Sequence, residues 1–204
     1  MIRFLSQVLR NYQSTGAIAP STPFLAHSMV KSIFDSKSKR ILEVGCGTGA
    51  FTKAILKKLS TGDELHIVEV NDIFCKDIEN RILKPFRQNN PDIPVYIHNE
   101  LLENAPIEGC FDSIICGLPF NNFPLLLVEN LFSTMLNHLK EGGELAYFEY
   151  LGVRSIKTTF GTSKLRKETA NRTADINLRI HNFNGSINSV WPNFPPCRVI
   201  RLRK

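Results

Sequence analysis

Three glycines at alternate positions, Gly45, Gly47 and Gly49, lie in the run Glu43-Val44-Gly45-Cys46-Gly47-Thr48-Gly49-Ala50-Phe51. Without side chains they let the backbone turn sharply and approach a ligand, and a helix opening directly after them offers unpaired N–H groups. The run also satisfies the G-x-G-x-x-A form of the dinucleotide fingerprint, which a dehydrogenase could share. Glu43 shifts the balance. A carboxylate two residues before the first glycine repels a pyrophosphate but can sit near the positively charged amino group of methionine. Glu69, followed by Val70, closes the next apolar run and is placed to accept hydrogen bonds from both hydroxyls of a ribose. Glu100, with Leu101, follows a third apolar run and could meet an adenine amino group and ring face. The competing readings are a strand-end surface acid for Glu69 and a plain loop acid for Glu100.

The order of these positions resembles that of S-adenosylmethionine-dependent methyltransferases, which implies S-adenosyl-L-methionine as cofactor. A second chemically suggestive run is Cys116-Gly117-Leu118-Pro119-Phe120-Asn121-Asn122-Phe123-Pro124. Enzymes that methylate exocyclic amines of bases carry Asn or Asp at the place of Gly117, and glycine has no side-chain acceptor. The Leu-Pro-Phe remainder still resembles the rRNA adenine dimethylase pattern, so RNA is the second choice of substrate.

Methyl transfer from a sulfonium to an amine needs a neutral nitrogen in line with the S–methyl bond, and positioning supplies most of the acceleration. An amine of pKa about 10 must first lose a proton, at a cost of about 4 kcal/mol near neutral pH unless the site helps. Tyr147 and Tyr150 are candidate ring faces or hydroxyl contacts for the cation that repeated methylation creates. Tyr150 is the stronger of the two; residues three apart on a strand point to opposite faces, so both line the site only if the strand ends between them, and otherwise one of the two is core. Glu149 is a candidate to steady an ammonium. Phe120, Phe123 and Trp191 are equally explained as a wall of the site or as packing. The five histidines show no metal-ligand spacing, so no metal is expected.

These residues need a frame that brings them to one edge. Residues 40–45 and 65–70 are β-branched-rich runs separated by a helical stretch at 51–59, which is a βαβ unit. Further strands at 95–98, 111–116 and 144–150 alternate with helices at 72–88 and 125–139. The expected fold is therefore α/β: a doubly wound, mostly parallel, Rossmann-like seven-stranded sheet with helices on both faces. Glu141-Gly142-Gly143 reads as the turn after the last of these helices. Two strands at 177–183 and 198–202 are expected to close the sheet as an antiparallel hairpin.

The 204 residues, 43% of them hydrophobic, suffice for one ordinary core. The expected organisation is a helical, membrane-binding cover segment over residues 1–38 and a methyltransferase domain over 39–204. Five scattered cysteines with no CxxC pair fit a reduced cytoplasm, and no run is long and apolar enough to cross a membrane. The net charge of +6 hides an asymmetry. Residues 1–40 carry +5, residues 41–152 carry −8 and residues 153–204 carry +9. Basic ends around an acidic middle suit a polyanion, either an anionic lipid surface or nucleic acid.

Five segments together resemble the bacterial phospholipid N-methyltransferase family. They are Gly16-Ala17-Ile18-Ala19-Pro20-Ser21, the loop of residues 43–52, Gly117-Leu118-Pro119, Glu149-Tyr150 and Asn193-Phe194-Pro195-Pro196. The resemblance implies methylation of phosphatidylethanolamine towards phosphatidylcholine by a monomeric enzyme held peripherally on the inner face of the cell membrane. Arg154-Ser155-Ile156-Lys157 departs from the family pattern, which is smaller there and contains proline, and leaves the head group open. Residues 1–13 fit a lipid surface too, since Ile2, Leu5, Val8, Leu9 and Tyr12 fall on one helical face opposite Arg3 and Arg10. Packing of that helix on the core is the alternative.

Overall fold

The computed structural model describes residues 21–33, 38–120, 123–151 and 177–204. The expected helix over residues 1–13, most of the 16–21 motif, Asn121, Asn122 and the 154–157 departure lie outside the described residues.

Seven strands form one sheet in the order β3-β2-β1-β4-β5-β7-β6. The strands are β1 (Arg40–Val44), β2 (Glu64–Val68), β3 (Val95–His98), β4 (Phe111–Cys116), β5 (Leu139–Tyr150), β6 (Ser186–Val190) and β7 (Cys197–Arg203). β1 to β5 pair in parallel, and β7 runs antiparallel to both β5 and β6. The expected Rossmann-like architecture is the observed one. Sequence order reverses between β1 and β4, so the crevice at their carboxyl ends is the place where this topology receives a ligand.

The central strands β1, β2 and β4 are apolar on both sides because helices cover both sides. On one face α1 (Pro23–Met29), α2 (Ala50–Leu56) and α3 (Asp72–Ile78) bury Leu25, Met29, Phe51, Ile55 and Ile78 against Ile41, Ile67, Ile115 and Phe148. On the other, α5 (Leu125–Asn137) presents Leu127, Val128, Leu131, Phe132 and Met135, a stripe at helical spacing, to Leu42, Ile114, Leu145 and Tyr147.

The helix expected at 72–88 spans α3, a π-helical turn at Glu79–Leu83 and α4 (Lys84–Asn89). Pro85 explains the interruption: proline lacks the N–H for a helical bond and crowds the preceding turn, and widening that turn accommodates it. The bulge also lets Arg87 bond both Glu79 and the Val95 carbonyl, at 2.6 Å each.

One expected strand is wrong. Residues 177–182 are helical, and the strand that pairs with β7 is β6, three residues further on. Leu178 and Ile180 alternate as a strand would, but Ile180 and Phe183 share a helical face and pack together against the α5 side of the core. Asn184 at positive φ and the Gly185 N–H, bonded to the Ile180 carbonyl at 2.7 Å, then end the helix. The hairpin does close the sheet, but over a shorter span.

At the opposite edge of the sheet from the crevice, Lys39 and Asp63 form a buried pair 2.5 Å apart, just before β1 and β2. Burial alone would raise the Asp63 carboxyl, but hydrogen bonds from Lys39 and Ser60 hold it below its ordinary range. Asp63→Asn should strand the Lys39 ammonium in the core and lower stability by about 3–5 kcal/mol, read as a fall in the urea midpoint. An unchanged midpoint would show that the pair is solvated.

Candidate cofactor and substrate site

The glycine loop leaves β1 at the crevice, and each of its glycines answers to a different neighbour. A side chain on Gly45 would meet Leu118 Cδ2 at 2.5 Å, and one on Gly49 would meet Ile78 Cδ1 at 2.3 Å. Both positions are closed by the protein itself. Gly47, at φ +49°, faces open space with nothing within 4 Å, so it is the point where a ligand can approach the backbone.

Glu69 lies one residue past β2 and is 1% exposed. Its Oε2 accepts the Gly47 N–H at 3.1 Å and its Oε1 accepts the Asn71 N–H at 2.9 Å. The carboxylate thus braces the open part of the loop and stands beside it. Asn71 and Asn99 were not singled out from sequence. Asn71 caps α3 through its side chain, and Asn99 Nδ2 donates to the Glu69 carbonyl at 3.0 Å. The Asn71-Asp72 pair before an apolar run was a legible cap signal, whereas nothing local marked Asn99. Val70 and Leu101 are half-buried against the core, and Glu100 is exposed after β3.

Glu43 is fully buried on β1, and the Thr52 hydroxyl donates to its two carboxylate oxygens at 3.0 and 2.8 Å. Desolvation is the main reason that its pKa is pushed up to about 8. The Thr52 hydroxyl opposes the rise, and the Glu69 charge adds to it. Near neutrality and without a cation beside it, Glu43 is therefore largely a neutral acid.

Gly117 forms the other lip. Its N–H donates to the Val44 carbonyl at 2.8 Å, and a Cβ there would lie 2.2 Å from the Gly45 carbonyl oxygen. The absent side chain is demanded by this backbone contact. Behind the lip, Phe120 packs against Tyr147 and Phe132 with tilted rings, centroids 5.6 and 4.9 Å away. Tyr147 and Phe123 are therefore core residues here, while Trp191 is exposed.

β5 continues through Tyr150, so the two tyrosines fall on opposite faces. Tyr147 joins the α5 side, and Tyr150 joins the α1 side against Phe148. The Glu149 carboxylate is gripped by Arg198, its cross-strand neighbour, at 2.7 and 3.0 Å. Burial pushes the Cys116 thiol up to about 12, which removes it as a nucleophile. The arrangement leaves open space at Gly47, beside the Glu69 carboxylate.

Gly117→Ala should force the β1 and β4 loops apart and lower both ligand affinity and stability, the latter by about 1–3 kcal/mol. Calorimetric titration and thermal melts check this, and normal values for both would show that the lip is compliant. Glu43 makes a signed prediction as well. A carboxyl raised from 4.5 to about 8 on folding leaves the native state holding the extra proton, so its contribution to stability falls between those values and stays low above them. Replacing it by Gln should flatten that part of the stability–pH curve, the difference reaching a few kcal/mol at most, roughly, above pH 8. Parallel curves for the two proteins would remove the burial argument.

A family profile described as a methyltransferase domain matches residues 42–145. Those residues include the glycine loop, Glu69, Glu100 and Gly117. An ornithine lipid N-methyltransferase of Singulisphaera acidiphila is 25% identical over 140 residues, covering 69% of this chain and 72% of that protein. An O-methyltransferase from Bacillus cereus in complex with SAH is similar at a TM-score of 0.63 and 15% identity, over 98% of this chain and 90% of that one. The O-methyltransferase TomG from Streptomyces achromogenes, in complex with SAM, gives 0.60 at 13% identity over 98% and 89%. At such identities the two solved structures speak for the fold, and the profile match speaks for the family. With a profile that covers half of the chain and spans both lips of the crevice, this chain belongs to the methyltransferase domain family.

Proposed function

We propose that the chain methylates the amine head group of a membrane lipid, with phosphatidylethanolamine as the leading substrate. The observation that carries this reading is the likeness of 69% of the chain to a protein named as an ornithine lipid N-methyltransferase. Gly117 supports it, because the acceptor side chain expected of enzymes acting on base amines has no room beside the Gly45 carbonyl.

S-adenosyl-L-methionine is the cofactor, and the residues present fit it. Gly47 leaves a space open to a ligand beside Glu69, with Glu100 and Leu101 at the next strand end. Bound there, it supplies a methyl group made electrophilic by a sulfonium.

In this reading Glu69 holds the ribose and Glu43 faces the charge of the methionine amine, whose approach would favour loss of the Glu43 proton. The lip at Gly117 admits the lipid amine close to the backbone. Leu118 and Phe120 keep water away, which disfavours the ammonium form and so eases release of the proton. Tyr150, at the end of β5, offers a ring face to the methylated cation. Glu149 is already charge-balanced by Arg198, so the aromatic face is the better partner for that cation. No helix of the described residues is long and apolar enough to cross a membrane, and attachment to the surface of the bilayer completes the proposal.

Incubation with radiolabelled S-adenosylmethionine, phosphatidylethanolamine vesicles and ribosomal RNA should put label in the chloroform-soluble fraction. Label confined to RNA would replace this reading with nucleobase methylation. Cofactor retention with no transfer to either would reduce the protein to a binder.

A further inference from the structure

The lipid reading leaves open which surface meets the bilayer, and the inference drawn here rests on that reading. Because Tyr150 lies opposite Cys197 in the antiparallel pair, the turn between β6 and β7, residues 191–196, sits at the carboxyl edge of the parallel strands. That is the edge at which the glycine loop and Gly117 open. The Leu151 N–H donates to the Pro196 carbonyl at 2.6 Å and fixes the turn there.

The start of α1 is brought to the same corner by Asn193, which is 3% exposed. Its Oδ1 accepts the Thr22 N–H at 3.2 Å and the Thr22 hydroxyl at 2.9 Å, and its Nδ2 donates to the Pro195 carbonyl at 2.7 Å. Around this clasp stand Phe24, Trp191 and Phe194, exposed by 61, 71 and 86%. No other aromatic side chain of the described residues is as exposed. Leaving three such residues in water forfeits burial that a core or an interface would recover.

The chemistry of the corner selects the occupant. The tip Trp191-Pro192-Asn193-Phe194-Pro195-Pro196 carries no charge, and its one polar side chain is turned inward and used. Beyond the indole N–H of Trp191 it offers nothing to the hydrogen-bonding edge of a base. To one side, Pro23 and His27 of α1 face Lys53 of α2 and, just past the end of that helix, Lys57 and Lys58 across an open cleft. Aromatic groups that enter the head-group boundary, with cations set back from them, are the composition that an anionic bilayer interface attracts.

We propose that Phe24, Trp191 and Phe194 insert into the interface of an anionic bilayer and hold the catalytic edge against it, so that a lipid amine reaches Gly117 without leaving the membrane. Trp191 is the chain's only tryptophan and reports directly. Vesicles of phosphatidylethanolamine and phosphatidylglycerol should shift its emission to the blue, and brominated acyl chains should quench it. Phe24→Ala with Phe194→Ala should weaken vesicle affinity about tenfold or more, while S-adenosylmethionine binding stays unchanged. Trp191 emission that does not move although the protein sediments with vesicles would overturn the proposal, as would a shift with RNA and none with vesicles. Methylation of phosphatidylethanolamine in detergent micelles separates the two claims. Activity there with a silent Trp191 sinks the docking corner alone, whereas a responsive Trp191 with no lipid methylation supports the corner and sinks the substrate reading.

Discussion

The close approach of two backbones at the switch point of the sheet governs the rest of the molecule. β1 and β4 end side by side, the Gly117 N–H bonds the Val44 carbonyl, and the Gly45 carbonyl occupies the place where a side chain on residue 117 would begin. Leu118 in turn fills the space over Gly45. Neither loop can move outward without opening the other, so the crevice has a fixed width set by main-chain atoms. A site built this way is preorganised, and a bound ligand need not order it.

The two acids nearest this crevice illustrate how position separates groups of one type. Glu69 lies beyond the end of its strand and is held by backbone N–H groups, which makes it a brace for the loop. Glu43 lies inside its strand, sealed against Thr52, and burial outweighs the hydroxyl that steadies its charge. The surroundings of the two carboxyls differ although they belong to adjacent strands of the same sheet.

Residues far apart in sequence tie α1 to β7 along its length. Asn193 bonds Thr22 across 171 positions of sequence, and Arg201 reaches the Ser28 carbonyl. These contacts seat α1 on β7 and bring the Asn-Phe-Pro-Pro turn beside the entry to the crevice. The start of α1 and the Asn-Phe-Pro-Pro turn, which look independent along the chain, are therefore parts of one corner.

Much of this was legible in the sequence because it depends on local periodicity. The βαβ unit, the alternating strands and helices and the glycine loop all follow from spacing that holds regardless of what packs on them. The helix over residues 177–182 did not follow, because Leu178 and Ile180 alternate as in a strand, and only the apolar surface of α5 selects the helical face. The π-helical turn before Pro85 preserves a pattern while altering its pitch, so spacing alone did not show it. Residue types also drew attention to Glu69 and Gly117, but not to the contacts that hold them. That Glu43 is a buried acid, that Arg198 claims Glu149, and that Tyr147 is core while three other aromatics face water are decided by contacts between segments far apart in sequence. Desolvation, ion pairing and exposure are properties of the assembled surroundings, and so the tertiary structure alone determined them.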